Sequence, residues 1–371
     1  MIDYQKRRGG IYDLMAREGI ALALFEDTEG RRDPTVRWLS GHPGDALLFL
    51  TVDRKAILVP WDVNLAVLYS QADSLAPYGA FERRPLTALQ ELARRLKIPR
   101  GSKIEIPPVT PYLLFLEYVG GLTDFDIICR NAGIHGEAEK LRAVKDEEEI
   151  RIYRRAAEIT NGLIDLLEHN IRSGKLRTEA DAALFIEAVA REQGCEGTGF
   201  TTLAAGPDRS YGIHAFPPYT AAPFGGQGLS ILDFGLKYSG YTTDVTLTFV
   251  RDPNPGQEKL LTLTEKAYKL AFSLVEEERP AREIARAVDV FFGKAKKNMP
   301  HSLGHGIGLQ EHESPAIRSR EDNEWILKPG MVFTLEPGLY DPSLGGCRLE
   351  NDVLLTGTGA EVLTEARIVR L

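Results

Sequence analysis

ILDFGLKYSGYTTDVTLTF, residues 231–249, reads as strand, turn, strand, with Tyr238-Ser239-Gly240 supplying the turn chemistry. Asp233 and Asp244 are symmetric about Tyr238-Ser239 within that turn. Positions symmetric about an antiparallel turn face each other on one side of the ladder, with Cβ atoms roughly 4.5–5.5 Å apart. The expectation is that Asp233 faces Asp244. A second stretch, MVFTLEPGLYDPSLGGCRLENDVLLT (331–356), repeats the device: Glu336 and Glu350 are symmetric about Ser343, between the turn residues Pro342 and Gly345-Gly346.

Two like charges about 5 Å apart repel by roughly 3 kcal/mol at an effective dielectric near 20, and four carboxylates in one place multiply that repulsion. Arg348 offers a single positive charge against them, whereas two divalent cations neutralise the set and give each ion several oxygen ligands. A glycine-rich loop, HSLGHGIG (301–308), adds His305 to the donors. One Asp beside a turn is ordinarily a capping or solvated group; the inference of two metal ions rests on the five residues together. An oxygen-rich shell with one imidazole suits Mn²⁺ or Co²⁺, tolerates Zn²⁺ or Fe²⁺ and offers copper no thiolate. Mn²⁺ is the expected ion.

His214, His301, His305 and His312 are four of only seven histidines in the chain. His301 and His305 have helical spacing, but Gly304, Gly306 and Gly308 argue for a loop. Arg348, two residues before Glu350, shares its strand face, where it holds either a carboxylate ligand or the substrate.

LDFG, GYTTDVT, HSLGHGIG, EHESP, TLEPGLY and GCRLEND, in this order and spacing, resemble the metallopeptidase family with the pita-bread fold, which includes Xaa-Pro aminopeptidases, prolidases, methionine aminopeptidases and creatinase. The resemblance implies a division of labour: Asp233 chelates one metal, Asp244 and Glu350 bridge both, and His305 and Glu336 complete the second. It implies that His214 and His312 contact the substrate, polarising the scissile carbonyl or passing a proton to the leaving amine, and that His301 lines the same pocket. Two departures stand out. Leu247 replaces the arginine common after the second aspartate, and Ile213 precedes His214 where a proline is more usual.

A metal-bridging water ionises near neutral pH, its pKa falling from about 15.7 towards roughly 7. Such a hydroxide would attack the amide carbonyl while Glu336 relays the proton to the departing nitrogen. No GxSxG elbow and no Cys/His protease motif competes with this route. Proline specificity follows from the resemblance, which is nearer the two-domain Xaa-Pro hydrolases because of the long N-terminal region.

Length predicts about two domains, divided near residue 140. Across 1–140, short strands at 20–26, 46–51, 55–60, 103–106 and 125–129 alternate with helices near 64–73, 85–97 and 110–119, as in an α/β layer. RWLSGHPGDALLFL (37–50) resembles the creatinase-type N-terminal domain. Residues 141–371 are the expected catalytic domain, an α+β pita-bread fold. It opens with a long amphipathic helix in the segment 136–170, whose acidic run at 146–149 suits a helix start. Further helices are expected after Thr178, with Asp181 in capping-box position, and over 256–277 and 281–296.

Net charge is −8 and pI about 5.6, which disfavours nucleic acid or an anionic membrane as partner. No apolar run approaches the roughly 18 residues that span a bilayer, and no signal-peptide pattern is present, so a cytoplasmic location is expected. Three cysteines without a CxxC argue against a disulfide framework. The expected function is metal-dependent hydrolysis of an Xaa-Pro bond in a small peptide, as a dipeptidase or an aminopeptidase, in a homodimer by resemblance. The alternatives are an amidohydrolase of a small N-acyl or amidino metabolite and a catalytically inactive binding relative. Lost ligands would mark the last, and none is lost.

Overall fold

The computed structural model describes residues 2–371. Chain packing divides it into two compact units, Met1–Arg142 and Ala143–Leu371. The first unit is a six-stranded sheet of β1 (Ile20–Asp27), β2 (Ala46–Thr51), β3 (Ala56–Pro60), β4 (Ser74–Leu75), β5 (Lys103–Ile106) and β6 (Asp126–Cys129), in the order β4-β3-β2-β1-β5-β6. β1–β2 and β2–β3 are antiparallel and the other pairings parallel, so helices such as Pro85–Arg95 and Tyr112–Gly121 serve as crossovers. Strand residues Leu22, Leu24, Phe49, Val59 and Ile104 pack with Leu89 and Tyr118 of those helices into one core.

The sequence reading missed the helix Tyr4–Glu18, because Gly9-Gly10 in its middle lowers helix propensity. Tertiary packing overrides that. A Cβ on Gly10 would come 3.1 Å from Leu141, Asp3 caps the first turn, and Gly19 closes the last in a left-handed conformation.

In the second unit the expected opening helix is broken. One helix, Ile134–Ala143, ends at the boundary, and Asp146, in extended conformation, caps a new one, Glu147–Arg172, through a capping box with Glu149. Capping boxes likewise start Glu179–Glu192 (Thr178 with Asp181) and Pro255–Ser273 (Asn254 with Gln257), and a fourth helix runs Ala281–Lys294. Their apolar faces cover mainly antiparallel sheets through two cores, one including Leu163, Ile186, Leu232 and Phe249, the other Leu260, Val288, Phe333 and Val353.

Those sheets hold β7 (Gly197–Thr198), β8 (Leu203–Ala205), β9 (Gly228–Phe234), β10 (Leu236–Tyr238), β11 (Tyr241–Thr242), β12 (Val245–Arg251), β13 (Gly304–Gly306), β14 (Glu313–Ile317), β15 (Val332–Leu335), β16 (Gly338–Asp341), β17 (Gly345–Arg348), β18 (Asn351–Thr356), β19 (Gly359–Val362) and β20 (Ile368–Arg370). The second hairpin has the expected register: Val332↔Leu354 in β15–β18 and Gly338↔Arg348 in β16–β17 are both symmetric about Ser343. Glu336 and Glu350 stand opposite each other where the ladder passes from one pair of strands to the other.

The first hairpin corrects the expectation. Ser239 (φ 49°) and Gly240 (φ 88°) form a two-residue turn, so Tyr238 pairs with Tyr241 and Asp233 with Thr246, not with Asp244. A slip of two residues preserves the side-chain face, leaving Asp244 diagonal to Asp233. The ladder lapses there: a Cβ on Gly235 would lie 1.9 Å from the Thr243 carbonyl, so only glycine permits that approach. The two hairpins meet through a bridge between Thr246 and Glu350. No described helix is long and apolar enough to cross a membrane, and Cys129, Cys195 and Cys347 are free thiols.

Candidate metal centre

All nine residues singled out from sequence line one cleft of about 560 Å³. Asp233 comes from β9, Asp244 from the gap before β12, Glu336 and Glu350 from the junction in the second hairpin. His305 lies on the short strand β13, neither on a helix nor in a loop. Ligand atoms of Asp244, His305 and Glu350 lie within 4.8 Å of one another. His305 Nε2 is 3.7 Å from both Asp244 Oδ2 and Glu336 Oε1. Its Nδ1 is 3.2 Å from the Gly306 carbonyl, which only accepts, so the proton sits on Nδ1 and the Nε2 lone pair faces the carboxylates.

Arg348 contacts a carboxylate. Its Nη2 donates to Asp233 Oδ2, Nη1 to Tyr340 OH (2.9 Å) and the Ile213 carbonyl (3.1 Å), and Nε to Thr246 Oγ1 (2.9 Å). Thr246 in turn donates to Glu350 Oε2 at 2.7 Å, so one hydroxyl ties the arginine to the glutamate across the two hairpins. His301 Nδ1 donates to the Ser302 carbonyl at 2.8 Å and lies 3.5 Å from Glu336 Oε2, and its Nε2 receives the Tyr340 hydroxyl at 3.0 Å. His214 and His312 are exposed at the cleft, His312 standing edge-on to His305 with ring centroids 4.1 Å apart.

Thr246 and Tyr340 were not identified from sequence. Thr246 depends on the true register of the first hairpin. Tyr340 was within reach, since it pairs with Gly346, and Arg348 is the next residue on that face. A Cβ on Gly346 would press within 2.8 Å of the tyrosine ring. Leu247 is fully buried beside Leu232 and Phe249, in the core rather than in the cleft.

The residues fit divalent cations on two observations. Asp233 Oδ1 is buried without a hydrogen-bond partner, and a carboxylate oxygen so placed needs one. Burial, followed by the charge of Glu350, holds Asp244 and Glu336 well above the usual carboxylate range, and burial and Asp233 push Glu350 up to about 7. Burial lowers His305 to about 3 and His301 to about 4, keeping both imidazoles neutral.

A folded-state pKa raised above the unfolded value of 4.5 gives stability that is present below about pH 4.5 and lost as pH rises through about 7. The chelated protein should therefore lose thermal stability between pH 5 and 8, and Mn²⁺ should raise its melting temperature more at pH 8 than at pH 5. Equal metal-induced shifts at both pH values in calorimetric scans would contradict this electrostatic account.

Residues 151–357 match Metallopeptidase family M24. An uncharacterised peptidase of Methanocaldococcus jannaschii is 32% identical over 237 residues, 63% of this chain and 67% of that protein. The Xaa-Pro dipeptidase of Pyrococcus furiosus is 36% identical over 229 residues, so the match spans 61% of this chain but only 64% of the relative's length. The crystal structure of an X-Pro aminopeptidase from Thermotoga maritima superposes with a TM-score of 0.85 at 25% identity, covering 100% of both chains.

Proposed function

The chain belongs to metallopeptidase family M24 and has its pita-bread fold, and from that premise we propose that it hydrolyses Xaa-Pro bonds in small peptides. The observation that carries the proposal is the convergence of Asp244, His305 and Glu350 with the unpartnered Asp233 oxygen in the cleft that also holds His214 and His312.

In this reading Asp233, Asp244, His305, Glu336 and Glu350 would hold two divalent ions, Mn²⁺ by donor chemistry, and the bound ions supply Lewis acidity and an activated water. Glu336 takes the proton of the attacking water and delivers it to the proline nitrogen as the C–O bond forms and the C–N bond breaks. His301, its Nδ1 3.5 Å from Glu336 Oε2, lies beside that carboxylate. His214 and His312 donate to the carbonyl oxygen as it gains charge. Phe200, Leu203, Ile213, Phe216 and Pro218 form an apolar wall that suits a pyrrolidine ring. A catalytic domain from about residue 141 onward, a homodimer and a cytoplasmic setting belong to the same proposal, the first two by family resemblance and the last by composition.

The test is proline release from Ala-Pro and alanine release from Ala-Pro-Ala by Mn²⁺-loaded protein, with a chelated control. Metal-dependent cleavage of Ala-Pro alone would identify a dipeptidase and cleavage of Ala-Pro-Ala an aminopeptidase. Cleavage of neither, with metal bound, would overturn the proposal in favour of a small-metabolite amidohydrolase.

A further inference from the structure

His312 rides on residues 307–312, a run of bends between β13 and β14. Three backbone bonds restrain its first half: Ile307 N–H to the Val332 carbonyl (3.2 Å), Thr242 N–H to the Gly308 carbonyl (2.9 Å) and Gly308 N–H to the Gln310 carbonyl (3.0 Å). At the other end a side chain takes over. Glu313, the residue after His312, folds back under the loop and accepts from Gln310 N–H at 3.1 Å. A Cβ on Gly308 would sit 2.1–2.3 Å from the Glu313 carboxyl atoms, so glycine at 308 is what lets the carboxylate lie there.

Beneath this carboxylate is Lys145, its Nζ 3.7 Å from Glu313 Oε2, the two side chains 1% and 6% exposed. Lys145 is itself anchored, its N–H donating to the Gly330 carbonyl at 2.8 Å beside the Val144–Met331 bridge. Neither Lys145 nor Glu313 lines the cleft. A buried ion pair adds little net stability over an apolar pair of the same volume, so its presence is better explained by the geometry it fixes.

We propose that Lys145 and Glu313 are positioning residues that hold the 307–312 loop so that His312 stands over the cleft. The inference rests on the reading of His312 as a substrate contact. Lys145 acts through Glu313 and the loop, and touches neither substrate nor metal.

Lys145→Met is expected to lower kcat about ten- to a hundredfold, as loss of supporting contacts typically does, with KM and metal content little changed. Placed on a His312→Ala background it should lower kcat no further. A merely structural role would cost activity equally in both backgrounds, and that result would overturn the proposal. Glu313→Gln keeps the shape and the bond from Gln310 while removing the charge, and it should reproduce the loss where Lys145→Met folds poorly. Hydrogen–deuterium exchange supplies a readout independent of turnover: amides 307–313 should exchange faster in either variant than in wild type. Unchanged exchange there would sink the positioning role whether or not Ala-Pro is cleaved, whereas failure of wild type to cleave either peptide would count against the peptidase reading alone.

Discussion

Glu350→Gln is expected to reduce peptidase activity about a thousandfold or more, the equivalent of roughly 4 kcal/mol of transition-state stabilisation, while making the chelated protein more stable than wild type at pH 8. Both effects have one cause. Glu350 stands opposite Glu336 in the hairpin and faces Asp244 and His305, so its charge is tolerable only against a cation. Burial and Asp233 raise its pKa from 4.5 to about 7. Above pH 7 Glu350 is ionised in the fold as in the unfolded chain, and holding that charge in the fold costs about 3 kcal/mol relative to the unfolded chain at 1.36 kcal/mol per pH unit. Glutamine has the same shape, and its carbonyl oxygen can still accept from Thr246 Oγ1. The apo variant should therefore melt about 5–10 °C above apo wild type at pH 8 and gain little from Mn²⁺. Scanning calorimetry with and without chelator measures this. A variant that melts below wild type when chelated, yet still binds two ions, would refute the electrostatic account.

Legibility in the sequence followed the range of the interactions. The second hairpin was readable because Pro342 and Gly345-Gly346 confine the turn, and its symmetry about Ser343 holds from β15 through β18. The first was displaced by two residues because composition does not say which pair in Tyr238–Tyr241 takes positive φ. The period-two rule kept the side-chain face correct in spite of the slip, so Asp233 and Asp244 still line one cleft. Short-range signals served well for helix starts, as Thr178 with Asp181 shows. What sequence did not reveal is non-local. The Thr246–Glu350 bridge and the threading of Arg348 between Asp233 and Tyr340 join residues about 100 positions apart, and no local pattern encodes them. The resemblance stated the converging residues in advance; the contacts that hold them in place came only from the structure.

Arg348→Met should be the most damaging single change away from the proposed metal donors. Arg348 is buried at 2% exposure, and its guanidinium serves four acceptors on four segments: Asp233 on β9, Thr246 on β12, Tyr340 on β16 and the carbonyl of Ile213 in the stretch before β9. Removing one partner of a buried pair strands the other, at about 3–5 kcal/mol, which in a unit of this size lowers the melting temperature by about 6–20 °C. The damage should spread to the donors, because Asp233 loses the contact that orients it and Tyr340 loses the donor that aims its hydroxyl at His301 and, through that imidazole, at Glu336. Arg348→Lys tests whether charge alone suffices. A lysine ammonium is a point charge that cannot span four acceptors arranged for a planar fork, so Lys should recover part of the stability and little of the activity. Adding Asp233→Asn to Arg348→Met separates the two contributions: stability should partly return because the stranded carboxylate is gone, while metal binding worsens because a donor has gone with it. Denaturant titration with parallel metal analysis reads both, and a double variant no more stable than Arg348→Met would show that the arginine's hydrogen bonds to Thr246, Tyr340 and Ile213, rather than its ion pair, hold the two hairpins together.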